Sequence, residues 1–345
     1  MNGGGLMDVT IKDVAREAKV APSTVSRVLK DSPHISIKTK QRVREIMDRM
    51  GYTPNFQAQS LAGKSTQAIG VIMPDTAYQA FKNPFFSIVL RGISRSANEQ
   101  KYGLYLSTSY TEEGIYEEVV SMVQGKRVDG LILLYSRKND QVIEYLQKVN
   151  FPFTIIGRPL VHEKNITYVD NDNVMVTKNI TKYLIALGHQ QIAFIGGNEN
   201  FAVTIDRLKG YKEALEESGL SFCEEYLIDE YQFAKEGYES LKKLILLNPM
   251  PTAIIAQDDL TGYEILSYLE KLNIRVPEDV SIIGFNNQIL SQHSRPPLTS
   301  VEIHISCLGV EATNCLIEKI KNPNTFSKRV TIPTEFIKRE SCRSI

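Results

Sequence analysis

Between Thr10 and Lys30 the sequence TIKDVAREAKVAPSTVSRVLK places Pro22, Ser23, Ser26 and Arg27 on one face of a short stretch whose other face carries Val25, Val28 and Leu29. A face of small hydroxylic residues with one arginine is poorly built for solvation and well built to lie in a groove of duplex nucleic acid. Arginine can contact guanine through two hydrogen bonds, while small side chains allow close approach to base edges and phosphates. Nothing comparable points to catalysis. The five histidines, His34, His162, His189, His293 and His304, have no local catalytic signature, and neither GxSxG nor HExxH occurs. The reading is therefore not an enzyme, with no cofactor and no metal. Cys223, Cys307, Cys315 and Cys342 lack CxxC or metal-ligand spacing, which predicts free thiols in a reducing compartment. Gly63-Lys64-Ser65 looks like the end of a phosphate-binding loop, but Ala58 stands where its first glycine is needed and no strand precedes it.

The elements that must position the arginine face are legible around it. Ile11, Val14, Ala15 and Ala18 recur at helical spacing, and Thr10 with Asp13 forms a capping pair at the start. Lys19 to Ala21 breaks the pattern, and Pro22 suits the first turn of a second helix, where its missing N–H is not needed. Ser36 opens a third helix with Val43, Ile46, Met47 and Met50 inward and Gly51 at its end. Pro54, Asn55 as an N-cap, and Ala58 to Ala62 then allow little more than one turn of helix, too short to be stable alone.

The formal charge of the 345 residues is zero, but it is unevenly distributed. Residues 1–64 hold 11 Lys and Arg against 6 Asp and Glu, net +5, leaving net −5 on the remainder. A basic head on an acidic body suits binding to nucleic acid through the head alone. No apolar run approaches a membrane span and no export signal opens the chain, so a cytoplasmic location is expected. Met7 follows Gly3 to Gly5, so the first residues are either a tail or lie ahead of the true start.

From Ala68 onward, apolar runs at 68–73, 103–108, 129–135, 153–157, 191–197, 252–256 and 280–285 alternate with helical stretches near 85–100, 113–125, 139–149, 173–187, 205–219, 234–247 and 259–272. Wholly apolar strands linked by helices predict α/β architecture with buried parallel sheets. The units are too many for one sheet and fit two lobes, with segments around 299–320 and 328–338 crossing back. A ligand is expected in the cleft beyond the carboxyl ends of the strands.

Thr10-Ile11-Lys12-Asp13-Val14-Ala15, Thr24-Val25-Ser26-Arg27-Val28 and Gly51-Tyr52-Thr53-Pro54-Asn55, followed by Asn83-Pro84-Phe85-Phe86, Asp129-Gly130, Gly188-His189, Ile195-Gly196-Gly197 and Asp279-Val280-Ser281-Ile282-Ile283-Gly284-Phe285, resemble the LacI (lactose repressor) family over nearly all of the chain. Ile156-Gly157-Arg158-Pro159 and Val169-Asp170-Asn171-Asp172-Asn173 are similar to the family's maltose-operon repressors of Gram-positive bacteria. The resemblance implies a tail at 1–9, a helix-turn-helix head at 10–53, a hinge at 54–66 and a two-lobed, periplasmic-binding-protein-like core at 67–340. It implies a first lobe of about 67–165 plus 296–325 and a second of about 166–295 plus 326–340.

By the same resemblance, Pro22, Ser23 and Arg27 read the major groove, and Thr24, Ser26, Ser36 and Thr39 contact phosphates. His34 and Asn55 lie at further DNA-facing positions, and Leu61 is the hinge wedge of the minor groove. Two positions depart from the pattern. Ala21 replaces the usual serine N-cap, a loss of about 1 kcal/mol, and Gln59 replaces a hinge arginine common in the family. Asp75, Arg158, Arg207, Gln257 and Asn286 are the implied effector contacts, with Tyr78, Phe81, Phe85 and Phe86 as an apolar face for a sugar ring. Asn286 replaces a carboxylate found at that position in some sugar-binding members.

The implied function is a homodimeric repressor that leaves a palindromic operator when a sugar, maltose or a maltodextrin, enters the cleft. Two alternatives remain at this level: a global catabolite regulator of the same family, whose DNA binding is promoted by a phosphorylated carrier protein, and a sugar-binding transport protein, which would need an export signal.

Overall fold

The computed structural model describes residues 9–29, 31–52, 65–74, 82–109 and 111–345. The chain divides into two compact units at Thr66 and Gln67. Most of the expected hinge, including Asn55, Gln59 and Leu61, lies outside the described residues, as do Asp75, Tyr78 and Phe81 and all but the last residue of the expected tail.

The first unit is three helices, α1 (Ile11–Glu17), α2 (Pro22–Leu29) and α3 (Ile37–Met50). At the start of α1 the Asp13 carboxylate accepts the Thr10 backbone N–H at 3.0 Å and the Thr10 hydroxyl at 2.6 Å. Lys19, at φ 52°, turns the chain between α1 and α2. Ser36 caps α3 by accepting the Thr39 N–H, and Gly51 ends it at φ 65°, a left-handed conformation that glycine adopts without a Cβ penalty. Val14, Ala15, Ala18, Val25, Val28, Val43, Ile46 and Met47 form its core, the stripes the helical spacing predicts.

The second unit holds two six-stranded sheets. The first has the order β11-β5-β4-β3-β1-β2, from β1 (Ala68–Ile72), β2 (Gly103–Leu106), β3 (Gly130–Leu133), β4 (Phe153–Ile156), β5 (Tyr168–Asp170) and β11 (Arg329–Thr331), all parallel. The second has the order β12-β10-β9-β8-β6-β7, from β6 (Ile192–Ile195), β7 (Leu227–Ile228), β8 (Ala253–Ala256), β9 (Ser281–Phe285), β10 (Thr299–Glu302) and β12 (Glu335–Ile337), with β12 antiparallel. Alternate residues of the first sheet face α4 (Pro84–Glu99) and α11 (Ile305–Lys321) on one side and α5 (Glu112–Gln124) and α6 (Gln141–Lys148) on the other. The second sheet is covered by α7 (Asn173–Ala186) and α8 (Ala202–Glu217) on one face, and by α9 (Glu230–Ile245) and α10 (Asp259–Lys271) on the other.

Two helix pairs approach so closely that only glycine fits. A Cβ on Gly92 would lie 2.1 Å from the Ser306 carbonyl oxygen across the α4–α11 crossing, and one on Gly210 would lie 2.1 Å from that of Val174 across the α8–α7 crossing.

The lobe boundaries differ from those expected. β5 and β11 belong to the first sheet and β10 to the second, so the chain crosses between β5 and α7, between β10 and α11, and between β11 and β12. The expected divisions at 165/166, 295/296 and 325/326 are displaced because these strands carry no apolar run. β5 and β11 have three residues each, and in β10 the fully buried Thr299 and Ser300 are accommodated by hydrogen bonds rather than by apolarity.

Candidate functional site

On the first unit, α2 buries Val25 and Val28, leaves Pro22, Ser23 and Arg27 exposed and holds Thr24 and Ser26 half-buried. The Arg27 guanidinium has no ion pair among the described residues, whereas Arg44 is engaged by Asp31 and Arg49 by Glu17. His34 is exposed beyond α2. At the start of α3 the Ser36 and Thr39 hydroxyls lie 2.9 Å apart beside a helix N-terminus, where unpaired N–H groups favour an anion.

On the second unit a cavity of about 260 Å³ opens between the lobes. The first lobe supplies Phe85 and Phe86 from the start of α4, Tyr135 and Ser136 after β3, and Asp170 at the end of β5. The second supplies Asn198, Thr204, Arg207, Glu230, Gln257, Asp258 and Asn286, most of them just past the ends of β6, β8 and β9. These positions follow from the parallel strands of the two sheets, which point their carboxyl ends at the cleft.

Arg207 is the organising side chain. It is 4% exposed, its guanidinium lies 3.8 Å from the centre of the Phe285 ring, its Nε donates to Asn173 Oδ1 at 3.2 Å, and its Nη1 donates to the Gln257 carbonyl. Burial pushes its pKa down to about 10, so it stays cationic at neutral pH. Asn173 in turn donates to Asp170, which also accepts the Arg158 and Asn171 backbone N–H groups. Burial, with Asp206 nearby, pushes the Asp170 carboxyl up to about 7. Two wall residues, Ser136 and Gln257, each hold a buried side-chain oxygen with no hydrogen-bond partner among the described residues.

Contacts across the cleft hold the lobes together. Asn83 donates to Asp258 at 2.8 Å. The backbone at 136–138 pairs with that at 200–202, with Ala202 N–H donating to the Ser136 carbonyl at 2.8 Å and Lys138 N–H to that of Asn200 at 2.9 Å. At the crossing points, the Asn171 amide donates to the Ile303 and Ile332 carbonyls at 3.1 and 3.0 Å, joining all three connections between the lobes.

Of the effector residues expected from sequence, Arg207, Gln257 and Asn286 line this cavity, with Phe85 and Phe86, and Arg158 does not. Arg158 lines a smaller depression and is held by a two-point ion pair with Asp206 at 2.8 and 2.6 Å, which also raises its pKa. That partner comes from the other lobe and carries no local sequence signal. Sequence reasoning also missed Asn173, Asn198, Phe201 and Asp258 as wall residues. Asn173 closes the Val169–Asn173 motif one turn from Asp170, and that spacing is the sequence signal that could have found it. Among the described residues no cluster of His, Cys, Asp and Glu could hold a metal ion, and no helix is long and apolar enough to cross a membrane. All four cysteines are free.

Residues 10–55 match the lacI family of bacterial regulatory proteins, and residues 181–342 match a periplasmic binding protein-like domain. The transcriptional regulator MalR of Staphylococcus xylosus is 35% identical over 340 residues, covering 98% of this chain and 99% of that relative. A solved CelR–cellobiose complex superposes with a TM-score of 0.75 at 29% identity, covering 96% and 99% of the two chains. The lac repressor dimer bound to operator and an anti-inducer superposes with a TM-score of 0.82 at 25% identity, covering 97% and 99%.

Proposed function

The chain belongs to the lacI family of bacterial regulatory proteins, and from that premise we propose that it is a sugar-responsive repressor of a maltose or maltodextrin operon. Two copies present their α2 helices to the half-sites of a pseudo-palindromic operator. Arg27, Pro22 and Ser23 read base edges. Thr24, Ser26, Ser36 and Thr39 hold phosphates, His34 and Asn55 add contacts, and Leu61 of the 54–66 hinge enters the minor groove. Proximity of MalR among the relatives and the cellobiose complex of a structural neighbour support a disaccharide-sized effector.

The observation that carries the reading is the interlobe cavity, in which a stacked arginine, amides and carboxylates meet the rings of Phe85 and Phe86. Arg207, Gln257 and Asn286 can each direct more than one hydrogen bond at neighbouring hydroxyls, and the rings offer an apolar face to a sugar. Asp75, which lies outside the described residues, is added to that set by the family resemblance alone. Its size, about 260 Å³, is near the lower limit of ordinary ligand pockets, about 300–1,000 Å³, and suits one or two sugar rings. The ligand acts as inducer because it favours a lobe arrangement in which the paired hinges hold DNA poorly, a coupling of about 1–3 kcal/mol in typical cases.

Fluorescence anisotropy with the full chain tests this. A promoter fragment of a maltose operon should bind more tightly than random DNA at cellular ionic strength, and maltose or maltotriose should weaken that binding. Equal affinity for both DNAs would remove the regulator reading. Sugar-indifferent binding strengthened by a phosphorylated carrier protein would replace the inducer with a protein corepressor.

A further inference from the structure

We propose that Asp259 is a positioning residue of the effector cavity, its carboxylate tying the turn that carries Asn286 to the helix start that carries Gln257 and Asp258. This rests on the cavity being the effector site. Asp259 opens α10 and is fully buried, yet it touches no ligand space. Its Oδ2 accepts the Gln288 N–H at 2.8 Å and the Ser291 hydroxyl at 2.5 Å, and its Oδ1 accepts the Ser300 hydroxyl of β10 at 2.6 Å. Tyr263, on the same helix, meets Ser291 at 2.8 Å. A Cβ on Gly284 would lie 2.2 Å from Oδ1, so the carboxylate reaches its partners only because that strand position is glycine.

The turn it holds needs holding. Asn286 and Asn287 sit at φ 94° and 45°, values that L-residues rarely adopt and keep only when their surroundings fix them. Asn286 N–H donates to Val301 and Asn287 N–H to the Ser300 hydroxyl, so Ser300 passes the tie from Asp259 to the turn. One buried carboxylate thereby sets the spacing of three cavity-wall residues from two segments of the second lobe.

The charged and titratable groups around it are Asp258 beside it, Arg207 from α8, Tyr263 from its own helix, and Glu302 and Arg339 flanking the turn. Burial pushes the Asp259 carboxyl up to about 6. Protonation replaces one acceptor with a donor among groups that donate to it, which slackens the turn, so effector affinity should fall as pH drops below about 6. A raised carboxyl pKa acts on stability with the opposite sign: the folded state binds the extra proton, so this group's stabilisation is lost as pH rises from its unfolded value through about 6. A merely structural tie would show this stability trend without the change in affinity.

The test uses the full chain, with hydrogen exchange at residues 286–291 and maltose titration between pH 5 and 7.5. Asp259→Ala should expose those amides to faster exchange and weaken maltose roughly tenfold, the loss expected for one charge-assisted hydrogen bond. Asp259→Asn can keep its oxygen on Gln288 and Ser291 and turn its amide to the Ser300 oxygen. It should restore both readouts and remove the change in maltose affinity near pH 6; any pH response left at about 7 belongs to Asp170. Unchanged exchange in Asp259→Ala, or a maltose affinity in Asp259→Ala equal to that of a parent that binds maltose, overturns the proposal. A parent that binds neither maltose nor maltotriose overturns the sugar reading, and the proposed link to the cavity goes with it.

Discussion

Arg207 shows how much a single side chain can be asked to do once it is buried. Its guanidinium stacks on Phe285 while donating to a side-chain amide and a backbone carbonyl. A lysine there would keep the charge and lose both the planar stack and the forked donors. Arg207→Lys should therefore weaken maltose about tenfold or more and cost about 1.5–3 kcal/mol of stability, the range for hydrogen bonds to charged groups. Isothermal titration and urea unfolding check the two parts separately, and a variant with parental values in both would show that the stack and fork are dispensable. The type and place of Arg207 were readable in the sequence, whereas its partners were not, because Asn173, Gln257 and Phe285 stand far from it along the chain and meet it only after the sheet forms.

At the scale of elements, helical and strand periodicity predicted ten of the eleven described α-helices and the seven strands made of apolar runs, while α11 falls in the 299–320 segment that was expected only to cross back between lobes. The strands that escaped are short or hydroxyl-bearing, and their membership of one sheet or the other is decided by hydrogen-bond partners rather than by their own residues. The closest helix crossings are equally invisible in a periodicity plot. Gly92 and Gly309 face each other's helices, with added Cβ atoms falling 2.1 and 2.4 Å from carbonyl oxygens of the partner. Gly92→Ala and Gly309→Ala should each destabilise the core by about 1–3 kcal/mol, the usual cost of overpacking, even though alanine favours an isolated helix. Chemical denaturation reads the change, and a stabilised variant would mean that the α4–α11 crossing yields easily.

For the molecule as a whole, the uneven charge makes the strongest quantitative expectation. A head of net +5 joined to a core of net −5 should confine the salt-dependent part of DNA affinity to the head. Arg27→Ala should cost about 1–3 kcal/mol on the operator and flatten base preference, whereas Thr39→Ala should weaken all sequences alike. Anisotropy titrations on operator and random duplexes over a salt series separate the two. If Arg27→Ala bound every sequence as the parent does, the arginine face of α2 would not be the reader.

The sequence by itself determined the three-helix head, the exposed arginine on its second helix, the alternation of apolar strands with helices, and the family. Each of these is local, set by spacing of a few residues or by motifs of contiguous ones. Only the tertiary structure decided where the chain crosses between lobes, that Arg158 is tied to Asp206 outside the cavity, and that Asn173, Asp258 and Phe201 join its wall. Those outcomes depend on which distant segments become neighbours when the sheets assemble, and residue types alone do not encode that pairing.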